Sequence, residues 1–408
     1  MTDAAVRGIA SVGTCDICGG PLTAERCLRC ESQSTYRFVH REIVILVVLV
    51  GVTVAAFLVT RSFAAANQAI RLQDARAWYT LGERALQTHD TEGAITALRR
   101  ATAKDPSDST YRLALASALM ASHQDDAARQ VLMDLREQEA EDPQTNLQLA
   151  RLEGRRNDVT AASRYYTNAL AALWKPDQTG AQRQMRTEFI EFLLNHGERD
   201  RALSELLVLE ASLPADLPSQ LAAGSMLLTA GDAHRAADHF ARALRLDPNN
   251  RLALAGAGES SFLLGDYLSA RRYLKLINGD TERLEELRTL TDLVLDNDPL
   301  APRLQMTERR RRLADDLAQV VRRIEACQLR NPAERLDPRV DLETPLAEAR
   351  GFEATLRARN TLSSSDQIDA GFDIVYRAVG VVDRACGSPE LLDRAVRLIG
   401  QRHGLGDQ

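Results

Sequence analysis

The chain of 408 residues is long enough for two or three domains, at roughly 150 residues per domain. Hydrophobic residues make up 45% and charged residues 26%, a composition that excludes an intrinsically disordered or collagen-like chain. The formal net charge of −6 argues against a dedicated nucleic-acid binder, and six cysteines are too few for a disulfide-dense secreted scaffold.

Four of the six cysteines lie in two closely spaced pairs near the N-terminus, Cys15 with Cys18 and Cys27 with Cys30. Four thiolates at this spacing can complete a tetrahedral shell around one ion. The segment resembles the short zinc ribbons of many bacterial proteins, which implies a structural zinc and a mini-domain at residues 1–36 that folds on binding metal. Two alternatives stay open: redox-active or disulfide-bonded pairs, and a rubredoxin-like iron site.

Residues 43–60 form an uncharged apolar run, IVILVVLVGVTVAAFLVT in one-letter code. As a helix this run spans about 27 Å, close to the ~30 Å hydrocarbon core of a bilayer, so we predict one transmembrane helix at residues 42–62. The alanine-rich residues 63–74 predict a helical stalk that continues without a break toward residue 75. A buried helix of a soluble protein and a cleaved signal peptide are the alternatives, and the long preceding segment disfavours the second.

The orientation of this span follows from the cysteines. Arginines flank the apolar run almost evenly on both sides, so the positive-inside rule gives little direction. Four reduced cysteines persist most readily in a reducing cytosol. We therefore expect a bacterial inner-membrane protein with a cytoplasmic N-terminus and a periplasmic, or equivalent extracytoplasmic, remainder. The inverted topology is the alternative.

Six similar blocks come after the apolar run, with successive offsets of 34, 34, 40, 34 and 34 residues. Their first residues are Ala75, Ser109, Pro143, Arg183, Leu217 and Arg251. Each block has a polar turn near its middle: His89-Asp90, Gln124-Asp125, Asn157-Asp158, Gly197-Glu198, Gly231-Asp232 and Gly265-Asp266. Each then has a small residue where a second helix would cross the first: Ala94, Ala128, Ala162, Ala202, Ala236 and Ala270. Two helices pack closely only where little bulk lies at the crossing, so each block predicts a helical hairpin.

The first and fifth blocks carry the pattern most clearly, and over residues 75–284 the chain resembles the tetratricopeptide repeat family. Generic helical hairpins are the alternative. The resemblance implies a superhelix whose concave face, lined by the first helix of each pair, binds peptides or partner helices. The first-helix sites are mostly Leu, Thr, Ser and Glu, without the lysine and asparagine that a carboxylate clamp needs, so capture of a chaperone C-terminus is not expected.

The resemblance also implies, by register, which residues line the concave face, although each could be ordinary surface. They are Tyr79, Glu83, Leu113, Ser117, Met120, Leu147, Arg151, Arg155, Glu191, Asn195, Leu221, Ser225, Leu228, Glu259 and Phe262.

The C-terminal third shows no 34-residue register, and we predict a helical bundle at residues 285–408 that caps the repeats. Its helices are predicted at residues 281–296, 307–329, 344–359, 366–386 and 389–402, with a loop at 331–342 and a helix start at Ser388-Pro389.

Two features of this bundle are of chemical interest, a pair of cysteines and a run of basic residues. Cys327 and Cys386 lie near the ends of two predicted helices and can form a disulfide in an oxidising compartment, two buried thiols being the alternative. The basic run at residues 309–312 precedes Asp315 and Asp316 by about one turn, which predicts a salt-bridged, solvated helix face. Contact with an acidic partner or with lipid headgroups is the alternative interpretation of that run.

No phosphate-binding glycine loop, nucleophile elbow or histidine–carboxylate metal motif is present, and we expect no enzyme and no small-molecule substrate. His234 and His239 are predicted to be surface residues. The sequence thus predicts an all-α protein with an N-terminal zinc ribbon, a single transmembrane helix, about six tetratricopeptide-like repeats and a C-terminal helical bundle. The expected role is a membrane-anchored scaffold that binds protein partners, as an assembly factor or accessory subunit of a bacterial envelope complex, the alternative being transmembrane signalling.

Overall fold

The computed structural model describes residues 13–20, 22, 27–277, 281–330, 341–358, 364–387 and 390–405, with the side chains of residues 31–37 and 330 left aside. Within these ranges every element of three or more residues is a helix, so the predicted all-α class is confirmed. Most of the predicted 331–342 loop and the predicted helix start at Ser388-Pro389 lie outside the described residues.

The helices match the predicted order closely. Their bounds are α1 Leu28–Gln87, α2 Thr91–Lys104, α3 Ser109–Ala121, α4 Asp125–Gln138, α5 Pro143–Arg155, α6 Val159–Ala171, α7 Thr179–Asn195, α8 Arg199–Glu210, α9 Leu217–Ala230, α10 Ala233–Leu246, α11 Arg251–Leu263, α12 Tyr267–Leu274, α13 Glu282–Asn297, α14 Met306–Arg330, α15 Glu343–Arg357, α16 Ser365–Cys386 and α17 Leu391–Arg402. A single 3-10 turn, Pro176–Gln178, occupies the longer spacing between the third and fourth blocks.

Helix α1 is the longest element, with 60 residues and a length of about 90 Å. It contains the whole apolar run at residues 43–60, the stalk and the first helix of the first repeat. The expected continuity from the apolar run into the repeats is therefore present as one unbroken helix.

The turn inside each repeat has the same backbone conformation. One residue per turn adopts a positive φ, the left-handed region that lets the chain reverse between the two helices: His89, His123, Asn157, Gly197, Gly231 and Gly265. These positions reproduce the predicted offsets, although the second turn lies one residue earlier than Gln124-Asp125. Four of the second helices are preceded by an N-cap aspartate whose carboxylate accepts a hydrogen bond from a backbone amide of the first turn: Asp90, Asp158, Asp232 and Asp266.

Small residues occupy the predicted helix crossings. The alanine assigned to each second helix is completely buried in all six repeats. At Gly82 a β-carbon would lie 2.6 Å from the side chain of Leu98, and at Gly258 a β-carbon would lie 2.7 Å from Leu274. The helices therefore approach more closely than any larger residue at these two positions would allow.

The chain divides into two compact units, residues 1–152 and 153–408. In the first unit, Ala75, Ala101 and Tyr111 form a buried cluster with Trp78 and Tyr79 packed against it. In the second unit, the core of the C-terminal helices also includes Tyr267 of α12, so the last repeat and the bundle share one interior.

The prediction for one histidine was wrong. His239 is 2% exposed rather than on the surface, whereas His234 is exposed. The Nδ1 atom of His239 lies 2.9 Å from Oε1 of Gln220, and its Nε2 atom lies 2.7 Å from Oε1 of Glu210. Gln220 in turn donates from Nε2 to the backbone oxygen of Pro214 at 3.0 Å, which fixes the direction of its amide. His239 therefore connects α8, α9 and α10 inside the second unit.

The basic run in α14 pairs only partly as predicted. Arg311 binds Glu308 at 2.7 Å and Asp315 at 2.8 Å, so the salt-bridged face is confirmed for this residue. Arg312 does not pair with Asp316. It binds Glu308 at 2.9 Å and donates to the backbone oxygen of Leu295 at 2.7 Å, because its side chain turns toward α13.

Asp316 is buried, and it forms no ion pair among the described residues. It is 2% exposed, and neither of its carboxylate oxygens has a hydrogen-bond partner among the described residues. Burial raises the pKa of this carboxyl well above its usual range, and the negative charges of Asp315 and Asp298 add to the effect.

We expect Asp316→Asn to stabilise the protein at pH 7.5 by about 1–3 kcal/mol, since the amide keeps the volume and removes the unpaired charge. The folded pKa lies above the unfolded value of about 3.9, so the carboxyl favours folding most at low pH and loses that contribution as the pH rises. Urea unfolding of the full chain in detergent should therefore show a gain at pH 7.5 that shrinks toward pH 4. Asp315→Asn, at an exposed position paired with Arg311, is the control and should show no such gain. Equal unfolding free energies of Asp316→Asn and the parent at pH 7.5 would contradict the prediction.

Candidate metal centre and partner-binding surface

The four N-terminal cysteines form one cluster. The Sγ atoms of Cys15, Cys18, Cys27 and Cys30 all lie within 4.8 Å of one another. Those of Cys15 and Cys30 are 3.7 Å apart, and those of Cys18 and Cys27 are 3.3 Å apart. In a tetrahedral zinc–thiolate site with Zn–S bonds of ~2.3 Å, the sulfurs are about 3.8 Å apart. The cluster can therefore hold a metal ion after only small adjustments.

Local backbone structure explains how the sulfurs converge. The amide of Gly19 donates to the Cys15 oxygen and the amide of Cys15 donates to the Gly20 oxygen, both at 2.9 Å, and Gly19 has a φ of +67°. This tight loop turns both thiols of the first pair to one side. The second pair lies at the start of α1, where Cys27 is the N-cap residue and Cys30 is in the first turn. Helix α1 thus begins inside the predicted ribbon at residues 1–36 and supplies half of the cluster.

In the protonated cluster the thiols hydrogen-bond to one another, and a bound cation would take the place of their protons. Hydrogen bonding with the Cys18 thiol, followed by burial and by the other two thiols, raises the pKa of Cys30 to about 12. Four thiolates cannot stand together without a positive charge between them, and a divalent ion supplies it.

Helix α1 is a candidate membrane span. The apolar window within residues 38–87 contains at most two charged residues, and none of it is buried against the rest of the described chain. Large side chains such as Leu49, Phe57 and Val59 are 58%, 62% and 67% exposed. The core helix of a soluble protein would bury such residues, which favours lipid as their environment.

The residues assigned to the concave face differ widely in exposure. Six are exposed: Glu83, Arg151, Arg155, Glu191, Asn195 and Ser225. Seven are half-buried: Tyr79, Leu113, Ser117, Leu221, Leu228, Glu259 and Phe262. Met120 and Leu147 are only 7% and 6% exposed, so these two are core residues, and we remove them from the predicted surface.

Tyr79 is held in a fixed position at the start of the repeats. Its hydroxyl donates to Oε1 of Glu83 at 2.6 Å, and its ring centroid lies 5.1 Å from that of Tyr111. Burial, together with the neighbouring Glu83 carboxylate, raises the pKa of Tyr79 to about 12. The phenol is therefore a neutral group whose ring is held in place by Glu83 and Tyr111.

Two residues assigned to the last repeat have partners that the register did not reveal. Glu259 forms an ion pair with Arg283 of α13. Phe262 packs edge-on against Tyr267 with ring centroids 5.3 Å apart. A ligand at this end of the second unit would have to displace or share these contacts.

Cys327 and Cys386 lie together at the ends of α14 and α16. Their Cα atoms are 5.9 Å apart, within the range that a disulfide requires, and the structure joins the two sulfurs. Cys327 is completely buried. The bond links two helices of the bundle core.

Three arginines of the bundle were not predicted from the sequence. Arg377 and Arg384 of α16 and Arg397 of α17 line a common cavity of about 690 Å³. Arg377 and Arg384 are seven residues apart and therefore lie on one face of a helix, which is the signal that could have revealed them.

Two family models match parts of the chain. Residues 69–179 match a family described as the TPR domain of cytochrome c-type biogenesis protein H, and residues 221–279 match the tetratricopeptide repeat. No protein with a curated description matches the sequence.

Several solved structures are similar to part of the chain at low identity. PilW, described as a type IV pilus biogenesis factor, is 17% identical, and the match covers 52% of this chain and 96% of PilW with a TM-score of 0.39. PilF of Pseudomonas aeruginosa is 19% identical over 55% of this chain and 86% of PilF, with a TM-score of 0.32. YrrB, described as a TPR protein with an unusual peptide-binding site, is 17% identical over 48% of this chain and 95% of YrrB, with a TM-score of 0.33.

The predicted repeats are thus confirmed by two independent family matches and by the recurrent hairpins of the structure. The chain contains tetratricopeptide repeats, matched at residues 69–179 and 221–279.

Proposed function

We propose that this protein is a membrane-anchored scaffold whose repeats bind a protein partner outside the cytoplasm, as an assembly factor or accessory subunit of an envelope complex. The single observation that carries the proposal is helix α1. One continuous helix contains both the candidate span and Tyr79 and Glu83, the first two residues of the proposed binding surface. The partner surface would then begin about 27 Å beyond Arg61, at 1.5 Å per residue.

The two kinds of cysteine support the proposed topology. Four thiols that can hold an ion lie before the apolar run, and a bonded pair lies after it. Thiols persist in a reducing compartment and disulfides in an oxidising one. A cytoplasmic N-terminus and a periplasmic repeat region would put each set of cysteines where its chemistry is stable, in the inner membrane of a bacterium.

The chemistry of the surface supports binding rather than catalysis. Its members are mainly aromatic, aliphatic, hydroxyl and carboxylate side chains, and the pKa of the Tyr79 hydroxyl that contacts Glu83 is raised, which makes it a poor nucleophile. The match to a domain named for cytochrome c-type biogenesis supports an assembly role. We accordingly propose no enzymatic activity, no nucleic-acid partner and no small-molecule substrate.

Site-specific photo-crosslinking in intact cells tests the binding surface. A benzophenone amino acid at Ser225, exposed on α9, should yield a discrete protein adduct after irradiation, because the side chain lies on the proposed surface. The matched control carries the same amino acid at Arg242, exposed on the second helix of the same repeat, and should yield no adduct of that mass. Equal adducts at both positions, or none at Ser225, would contradict the proposed surface.

A second candidate function is transmembrane signalling, in which the metal module contacts a cytosolic partner. The observation that favours it is the position of Cys27 and Cys30 at the start of α1, so that the metal site and the first repeat share one helix. Changing Cys15 and Cys18 to serine separates the two functions. A scaffold keeps its Ser225 adduct in this variant, whereas a signalling protein loses its response.

A further inference from the structure

A second binding site lies in the C-terminal bundle. An open cavity of about 690 Å³ separates the first turn of α15 from the C-terminal halves of α16 and α17. Its volume falls in the range of ordinary ligand sites, roughly 300–1,000 Å³. Neither the repeats nor the metal cluster contributes a residue to it.

We propose that this cavity binds an acidic peptide segment of a protein partner, through three arginines set against an apolar wall. The proposal is independent of the surface on the repeats. Its support comes from the contacts that hold each arginine, from the charged residues of the lining and from the apolar side chains of the lining.

Two of the arginines are fixed by carboxylates. Arg377 donates to Asp373 at 2.9 Å and to Glu348 at 3.2 Å, and Arg397 forms an ion pair with Asp383. A guanidinium has five N–H groups, so each keeps donors for a ligand while its position is fixed.

Arg384 differs, because no carboxylate pairs with it among the described residues and it is exposed. Its Nη1 atom lies 3.7 Å from the place where a side chain at Gly380 would begin. The guanidinium thus folds back over the glycine, one turn earlier on α16, and faces the cavity. An unpaired guanidinium in this position is suited to bind a carboxylate in two-pronged geometry.

The charge of the lining is positive. Among the lining residues three arginines face two acidic residues, Asp341 and Glu348. Because Asp373 and Asp383, outside the lining, already pair with Arg377 and Arg397, the guanidinium of Arg384 is the charge left for a ligand. The carboxylate of Asp341 already accepts hydrogen bonds from the amides of Glu343 and Thr344, in the first turn of α15, at 2.9 and 3.2 Å. Its charge is therefore partly offset by the N-terminus of that helix, which increases the attraction for an anion.

The remaining lining combines apolar side chains with the polar Thr344 and Gln401. Pro345 and Val381 face the cavity, and the ring of Tyr376 lies beside them. This ring packs so closely on Gly400 that a β-carbon there would lie 2.2 Å from it. Acidic side chains with an aromatic or aliphatic neighbour match such a lining, whereas a small inorganic anion would leave most of the volume unused.

Binding of fluorescein-labelled peptides to the full chain in nanodiscs tests the proposal by anisotropy. The probe has the sequence GDEFDEL, and its counterpart GKKFKKL exchanges every acidic residue for lysine. We expect the acidic peptide to bind at least tenfold more tightly, and Arg384→Gln to weaken its binding about tenfold or more. Gly380→Leu should weaken it similarly by filling the space beneath Arg384.

Arg357→Gln is the matched control, because it removes the same charge from an exposed position of α15 outside the cavity, and it should bind the acidic peptide as the parent does. Both binding variants should keep the Ser225 adduct, so failure here and failure of the repeat surface are distinguishable. Equal affinity for the two peptides, or unchanged affinity in Arg384→Gln and Gly380→Leu, would overturn the proposal. Displacement of the peptide by an equal concentration of citrate would overturn the assignment to a peptide, since citrate offers carboxylates without apolar side chains.

Discussion

Cys18→Ser should abolish metal binding by the N-terminal cluster and unfold the loop around it. The described part of this loop buries almost no apolar side chain, and Ile17 between the cysteines is 87% exposed. Its folding energy therefore comes from the ion, and structural zinc in small peptides supplies roughly 10–16 kcal/mol. Three remaining sulfurs leave the tetrahedral shell incomplete. This is the largest single effect that we expect from any substitution in the chain.

Elemental mass spectrometry of the purified full chain gives the metal content, and hydrogen exchange reports on the Cys15 and Gly19 amides. The parent should contain one zinc per chain and protect both amides, and the variant should show neither property. Asp16→Ser, at an exposed position between the cysteines, is the control and should retain both. One equivalent of iron in the parent would support the rubredoxin-like alternative, and a metal-free parent with bonded cysteines would contradict the metal centre altogether.

Loss of the bond between Cys327 and Cys386 should produce the second large effect. The two residues are 59 positions apart, and closing a loop of that length stabilises a folded chain by about 4 kcal/mol in the chain-entropy model. The double variant Cys327→Ala, Cys386→Ala should unfold at a correspondingly lower urea concentration. Reduction of the parent should lower its stability to a similar extent, whereas the same reductant should leave the variant unchanged.

Thiol counting under denaturing, non-reducing conditions provides the independent check. The parent isolated from the membrane should show no free thiol at these two positions. Two reactive thiols there, together with equal stability of the parent and the double variant, would contradict both the bond and the oxidising compartment that we assign to this part of the chain.

The repeats were predictable from sequence because helix crossings impose a steric rule. Only small residues fit at Gly82, Gly258 and the six buried alanines, so the pattern survives even where the rest of a block diverges. The turn positions were nearly as accurate, since positive φ favours glycine, asparagine and a few polar residues. His123 was missed by one position because its neighbour Gln124 is equally polar.

The environment of individual side chains was harder to predict from the sequence, because it depends on contacts between distant segments. The partners of His239 come from α8 and α9, 29 and 19 residues earlier, and spacing along α10 alone could not reveal them. Met120 and Leu147 have the register of surface positions, but helix register does not determine how deeply a residue is packed. Asp316 is likewise unpaired because the side chain of Arg312 turns toward α13 and donates to the backbone oxygen of Leu295.

The domain boundaries at residues 36, 62, 74 and 284 stay predictions. Helix α1 passes through the first three of them without a break, and the core of the bundle includes Tyr267. The periodicity of the sequence changes at these boundaries, whereas helix α1 and the core of the bundle continue across them.

The central claim is that the repeats stand outside the cytoplasm on a helix that begins at a metal centre inside it. Alkaline phosphatase, which is active only after export and oxidation, tests this directly when fused after Gln408 and, separately, after Glu42. We predict an active enzyme in the first fusion and an inactive one in the second, at equal expression in bacterial cells. Activity only in the fusion after Glu42 would contradict the claim and would place the repeats in the cytosol.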